Sequence, residues 1–164
     1  MKRYATPITV RRANRHDAAV LVSFNQAMAR ETEGKELPYE IIAPGVTRLM
    51  QHPEYGFYLV AEVQERTVGS LLVTYEWSDW RNGVLWWIQS VYVWPEWRRH
   101  GIYRELYKTV RQLAAAESKV CGFRLYVEKD NERAQQTYRA LGMTETDYRL
   151  YETITGIKPD CCPR

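Results

Sequence analysis

The stretch SVYVWPEWRRHGIYR, residues 90–104, decides how the chain folds. Val91 and Val93 alternate as strand residues do, and Pro95 has no N–H with which to continue a ladder. Trp97, Arg98, Arg99 and His100 make a basic turn, and Gly101 permits a backbone geometry that larger residues resist. From Ile102 the apolar positions Leu106, Val110 and Leu113 follow at spacings of four, four and three, which is one face of a helix. A strand that feeds a helix through a basic, glycine-bearing turn is an anion site. The first N–H groups of the helix lack intrahelical acceptors, and its positive dipole end faces the turn. The anion that suits it is a phosphate.

Upstream, Ile8 to Arg12 reads as a first strand. Asn14 or Asp17 can cap a helix to about Arg30 with Leu21, Phe24 and Met28 on one face. Gly34 ends it, and Glu31 to Glu36 reads as an acidic loop. A second helix is expected over Pro44 to Gln51, proline first. Three strands follow at Gly56–Val63, Val68–Trp77 and Val84–Val93, the last two joined by a hairpin ending in Asn82-Gly83. Strands this apolar are expected to be covered on both faces. Downstream, a helix runs from Ile102 to about Ser118 and a fifth strand covers Phe123 to Val127. Asp130 or Asn131 caps a further helix with Ala134, Tyr138 and Leu141 on one face and Gly142 as its stop. Thr144 to Thr153 is expected as a last strand.

The 164 residues fit one domain, 1–164, with a core over about 8–153 and a loose tail at 154–164. Hydrophobic residues at 45% and charged residues at 26% exclude a disordered chain. A net charge of +3 does not argue for nucleic acid, although it suits an anionic ligand. No apolar run reaches the roughly 18 residues a membrane span needs, and the first residues lack the apolar core of a signal peptide. The three cysteines, two of them adjacent at Cys161 and Cys162, make neither a metal spacing nor a disulfide framework. A cytoplasmic protein without a metal is expected.

Arg98-Arg99-His100-Gly101-Ile102-Tyr103 resembles the R/Q-x-x-G-x-G/A pyrophosphate loop of the GCN5-related N-acetyltransferases (GNAT), which bind acetyl-coenzyme A. Tyr103 departs from that pattern, standing where glycine or alanine is usual. Asn131 to Gly142, NERAQQTYRALG, resembles the family's N-x-x-A-x-x-x-Y-x-x-x-G helix. The order β-α-α-β-β-β-α-β-α-β is also that of the family. The resemblance implies an α/β acyl-CoA N-acyltransferase fold, a mixed central sheet flanked by helices.

It also implies a chemistry. Val91, Tyr92 and Val93 would line the pantetheine arm, and the Val91 N–H would polarise the thioester carbonyl. Arg98, Arg99, His100, Gly101, Ile102, Tyr103 and Arg104 would form the phosphate site, with Asn131 also beside the cofactor. Tyr138 would be the general acid that protonates the departing thiolate. The strand VLWWIQSVYV carries no carboxylate, so the general base falls to a carboxylate elsewhere. Glu31, Glu33 and Glu36 on the acidic segment and Glu76 and Asp79 on the hairpin are available, and Glu33 is the candidate taken. Polyamine acetyltransferases are similar through this region, but they carry acids where Gln89 and Ser90 stand, which disfavours a polycationic acceptor. Trp77, Trp80, Trp86 and Trp87 gather on one hairpin and divide among core, acceptor wall and dimer contact. The expected activity is transfer of acetyl from acetyl-CoA to a primary amine of a small molecule. The alternatives are a protein N-terminus or lysine as acceptor, or a non-catalytic acyl-CoA-binding module. No nucleic-acid or membrane partner is expected; a homodimer is compatible with the sequence.

Overall fold

The computed structural model describes residues 7–156. The element order is β1 (Thr9–Arg12), α1 (Ala18–Glu33), α2 (Tyr39–Gln51), β2 (Gly56–Val63), β3 (Arg66–Ser78), β4 (Gly83–Val93), α3 (Ile102–Ala115), β5 (Val120–Arg124) and α4 (Glu132–Ala140). The five strands form one sheet in sequence order, antiparallel throughout except for the parallel β4–β5 pair. It is a mixed α/β fold of the expected kind. The chain divides after Tyr126 into two compact units, of which the first holds the sheet and the second holds α4.

Alternation along β2 and β3 sorts their side chains onto two faces. Tyr58, Val60 and Leu72 pack against Leu21 and Val22 of α1 and Val46 of α2. On the other face Phe57, Trp86, Phe123 and Tyr107 of α3 form a chain of edge-on rings at 5.3–6.5 Å. Leu59, Leu71, Val73, Leu106 and Val110 are fully buried. The central strands are thus apolar on both sides along most of their length, as expected for strands read as near-continuous apolar runs.

Several boundaries differ from the sequence reading, each for a physical reason. Helix α1 continues through Glu33 and closes on Gly34, whose left-handed backbone (φ +62) lets its N–H reach the last carbonyls. Glu31 and Glu33 are therefore helical and not part of a loop. Asn14 caps a short 3-10 turn at Arg15–Asp17 reciprocally with Asp17, and α1 follows directly. Helix α2 starts at Tyr39 and contains Pro44 instead of beginning there. Proline forfeits one helical N–H bond, but Ile42, Ala43, Val46, Leu49 and Met50 reach the core only if the helix extends both ways. Strand β5 lies three residues earlier than expected, because its pairing with β4 covers only Val84–Trp87. Residues 144–153 form no strand. Their pattern carries strand propensity, but a strand exists only where another supplies the ladder, and propensity does not name that partner. The expected tail and its cysteines beyond residue 156 lie outside the described residues.

Candidate functional site

The end of β4 is built to stop pairing. On its β3 side, Tyr92 faces Ser70 and Gln89 faces Leu72, so Ser90 and Val91 stand opposite Leu71 alone. Two residues against one is a β-bulge, which takes the extra residue out of the ladder. Ser90 carries the strain, with φ at +46, a left-handed geometry costly for a residue with a Cβ. On its other side β4 pairs with β5 only as far as Trp87↔Arg124. From Ile88 to Val93 that edge has no strand partner among the described residues. An unpaired edge beside a bulge offers backbone N–H and C=O groups to an extended ligand.

The chain then crosses a 3-10 turn, Pro95–Trp97, and reaches α3. Arg99 (φ +68) and Gly101 (φ +83) are both left-handed, so the loop curls back on itself. Gly101 is the N-cap of α3, and no side chain caps the helix. A Cβ at Gly101 would meet nothing within 4 Å, so the space above the helix start is open. The indole N–H of Trp97, in the turn before, is buried without an acceptor among the described residues. An uncapped helix N-terminus under open space is chemically suited to a pyrophosphate. Tyr103 does not obstruct it by a ring laid across the loop: its ring stacks on Tyr107 one turn along, with centroids 6.2 Å apart.

Arg98 is tied down within the protein. Its Nε donates to the Val93 carbonyl at 2.9 Å and its NH2 to Glu31 Oε2 at 2.6 Å. Tyr92 donates its hydroxyl to Glu31 Oε1 at 2.7 Å. Glu31, in the last turn of α1, thus joins the end of β4 to the start of the loop that leads into α3. Burial works against the Glu31 charge, but the Tyr92 hydroxyl and the Arg98 guanidinium outweigh it and hold the carboxyl below its ordinary range. Burial, and then the Glu31 carboxylate, push the Tyr92 phenol up to about 12. Phe24 of α1 packs on Tyr92 and Trp94 at 5.3 and 5.2 Å, completing the joint.

The structure brings Val91, Tyr92, Val93, Arg98, His100, Gly101 and Ile102 into one contiguous strand end, loop and helix start. His100 Nδ1 contacts the Arg98 carbonyl at 2.9 Å. Arg99 and Arg104 are exposed. Glu33 faces away into an exposed ion pair with Lys35 at 2.6 Å, and its neighbour Glu31 turns inward instead. The sequence marks Glu31 only as one of several acids. Its distinguishing signal is its place three residues after Met28 on the inward face, and a helix ended at Arg30 hides it. In the second unit, Asn131 caps α4 by accepting the Ala134 N–H at 3.1 Å. Tyr138 is half-buried, and burial pushes its phenol up. Of the four tryptophans, Trp86 is core, Trp87 half-buried, and Trp77 and Trp80 are exposed. Among the described residues no group of His, Cys, Asp and Glu is placed to hold a metal ion, and no helix is long and apolar enough to cross a membrane.

The family model for the acetyltransferase (GNAT) family matches residues 21–143. The chain belongs to this family. Its GNAT fold is similar to that of a possible acetyltransferase from Clostridium difficile 630, with 42% identity, a TM-score of 0.84, and coverage of 92% of this chain and 99% of that one. A predicted acetyltransferase from Clostridium acetobutylicum, solved with acetyl-CoA, shares the fold at 21% identity and TM-score 0.72 over 90% of this chain and 96% of its own. A ribosomal-protein-alanine N-acetyltransferase from Brucella melitensis biovar Abortus 2308 does so at 16% identity and TM-score 0.73, covering 92% of this chain and 100% of that one. Among curated proteins no sequence matches the chain.

Proposed function

We propose that this GNAT chain transfers the acetyl group of acetyl-CoA to a primary amine on a small molecule. The observation that carries the reading is the β4 bulge at Ser90–Val91, set between an unpaired strand edge and an uncapped helix start. The residues fit the cofactor in order along one path. The helix start and the Gly101 turn would hold the pyrophosphate. The free edge of Val91–Val93 would pair with the pantetheine amides, and the bulged Val91 N–H would meet the thioester oxygen. An N–H already fixed in place stabilises the charge that develops on that oxygen in the transition state more than it stabilises the ground state.

The acceptor nitrogen forms the new C–N bond to the acetyl carbon as the C–S bond breaks. The ammonium must first lose a proton, and β4 supplies no carboxylate for this. Gln89 and Ser90 can order water beside the bulge to carry that proton away. Glu33 is the weaker route, exposed and paired with Lys35. Glu31 is a poor base because its partners hold it ionised. The thiolate takes its proton from Tyr138, the acid that the family pattern assigns, and the second proton that the nitrogen loses as the amide forms restores the phenol. A phenol holds its proton at neutral pH, and burial pushes that of Tyr138 further up.

Thiol release from acetyl-CoA with a panel of primary amines tests this. Amine-dependent release, lost in Gly101→Glu, is the expected result. Release that no amine stimulates, by a protein that binds acetyl-CoA, would overturn the enzymatic reading.

A further inference from the structure

A polar strip crosses the middle of the sheet on the α1–α2 face. The pairings Leu72↔Gln89, Thr74↔Trp87 and Trp87↔Arg124 put Gln89, Thr74, Trp87 and Arg124 on the face that holds Tyr58 and Leu72, with Glu76 two residues on. The Trp87 indole N–H donates to one oxygen of Glu76, and Arg124 NH1 donates to the other at 2.7 Å. The Gln89 amide donates to the Thr74 hydroxyl. Tyr126 sets its ring 6.0 Å from that of Trp87 at 52°, forming a corner. The Glu76 and Arg124 side chains are 36% and 32% exposed. Polar groups are costly in the interior of a sheet unless something requires them there. These are partnered and still reachable, and only NH1 of the Arg124 guanidinium is engaged among the described residues.

On the opposite face Trp86 is buried, and the half-buried Phe123 packs edge-on between it and Tyr107 of α3. A molecule that reaches Val91 along the α1–α2 face of β4 crosses the polar strip. At roughly 3.4 Å per residue, Gln89 lies about 7 Å and Trp87 about 14 Å along the strand from Val91. We propose that the strip is the floor of the acceptor site, and that it selects a monoamine with a flat apolar body over diamines and polyamines. The claim rests on the reading that Val91 marks the thioester. The Trp87–Tyr126 corner offers ring faces for a flat body. The Glu76–Arg124 pair sums to zero charge. A second ammonium at the far end would find the carboxylate shared by two donors and a guanidinium beside it.

The test uses 2-phenylethylamine, 1,4-diaminobutane and spermidine in two assays: thiol release with acetyl-CoA, and calorimetry of each amine alone. The wild type should prefer phenylethylamine in both. Tyr126→Ala and Trp87→Leu should each raise its KM several-fold and leave acetyl-CoA affinity unchanged. Tyr126 is 62% exposed, so that variant will fold even if Trp87→Leu does not. Arg124→Gln uncovers the Glu76 charge and should shift the preference toward spermidine by about two- to threefold, while Arg124→Lys should not. A wild type that prefers spermidine, or an unchanged preference in Arg124→Gln, would overturn the proposal. If acetyl-CoA fails to bind, the acetyltransfer reading falls separately. Calorimetry still decides the site: phenylethylamine binding weakened in Tyr126→Ala supports it, and no amine binding in the wild type overturns it.

Discussion

Replacing Glu31 with glutamine removes one charge and almost no volume, so the variant isolates the carboxylate's contribution at the joint of α1, β4 and the loop before α3. The Glu31–Arg98 pair spans 2.6 Å, but the two side chains are 39% and 33% exposed. Solvent screening limits such a pair to about 0.5 kcal/mol. The bond from the buried Tyr92 hydroxyl to a carboxylate exceeds the bond to an amide by about 1 kcal/mol. The substitution should therefore cost about 1–2 kcal/mol and lower Tm by about 2–8 °C. The pH dependence gives a sharper test. The folded pKa of Glu31 is depressed below its ordinary 4.5, so its stabilisation is fully present above pH 4.5 and is lost as pH falls through the folded value. Thermal melts of wild type and Glu31→Gln across pH 3–8 should show a constant gap above pH 5 that closes in acid. A gap that persists unchanged at the acid end, or no gap at pH 7, would refute the reasoning. Because Arg98 begins the loop proposed to hold the pyrophosphate, the variant should also bind acetyl-CoA several-fold more weakly at pH 7, measured by calorimetry.

Tyr92 has a folded pKa raised to about 12 from 10, so its contribution is complete below pH 10 and is lost as pH rises toward 12. Alkaline melts should show that loss in the wild type and a shallower slope in Tyr92→Phe; equal slopes would dismiss it. Ser90→Gly should relieve the left-handed strain at the bulge and stabilise the fold by about 1 kcal/mol, which denaturant unfolding will detect; a destabilised variant would show that the Ser90 side chain does more than tolerate its backbone. Tyr138→Phe should lower turnover at least tenfold with acetyl-CoA affinity intact, by the usual range for a general acid. Unchanged turnover would remove Tyr138 from the mechanism.

The fold is legible where local signals and burial agree. Residues 90–104 announce strand, stop, turn and helix, and each lies where the sequence places it, because proline, glycine and a four-four-three apolar spacing act within their own segment. The left-handed turn at Gly101 before α3 is legible for the same reason. The errors come from interactions between distant segments. Pro44 reads locally as a helix start, and only the packing of Ile42 and Val46 on β2 shows that the helix continues through it. The bulge at Ser90 has no sequence mark, since serine is not the residue that a left-handed position selects. Glu31 and Glu33 are indistinguishable in a string. They separate because Tyr92 and Arg98, 61 and 67 residues away, converge on one of them. Glu76 likewise gains its meaning from Trp87 and Arg124 on two other strands.

The measurement that bears most directly on the whole account is calorimetric titration with acetyl-CoA of the wild type and of Gly101→Glu. Nothing lies within 4 Å of a Cβ at Gly101, so the variant should fold at a cost of about 1–2 kcal/mol from its left-handed backbone alone. Its carboxylate would stand at the uncapped start of α3, where the pyrophosphate is expected. Binding by the wild type in the roughly 1–100 micromolar range, abolished in a folded Gly101→Glu, is the predicted result. No binding by the wild type, or equal binding by both proteins, would contradict the account.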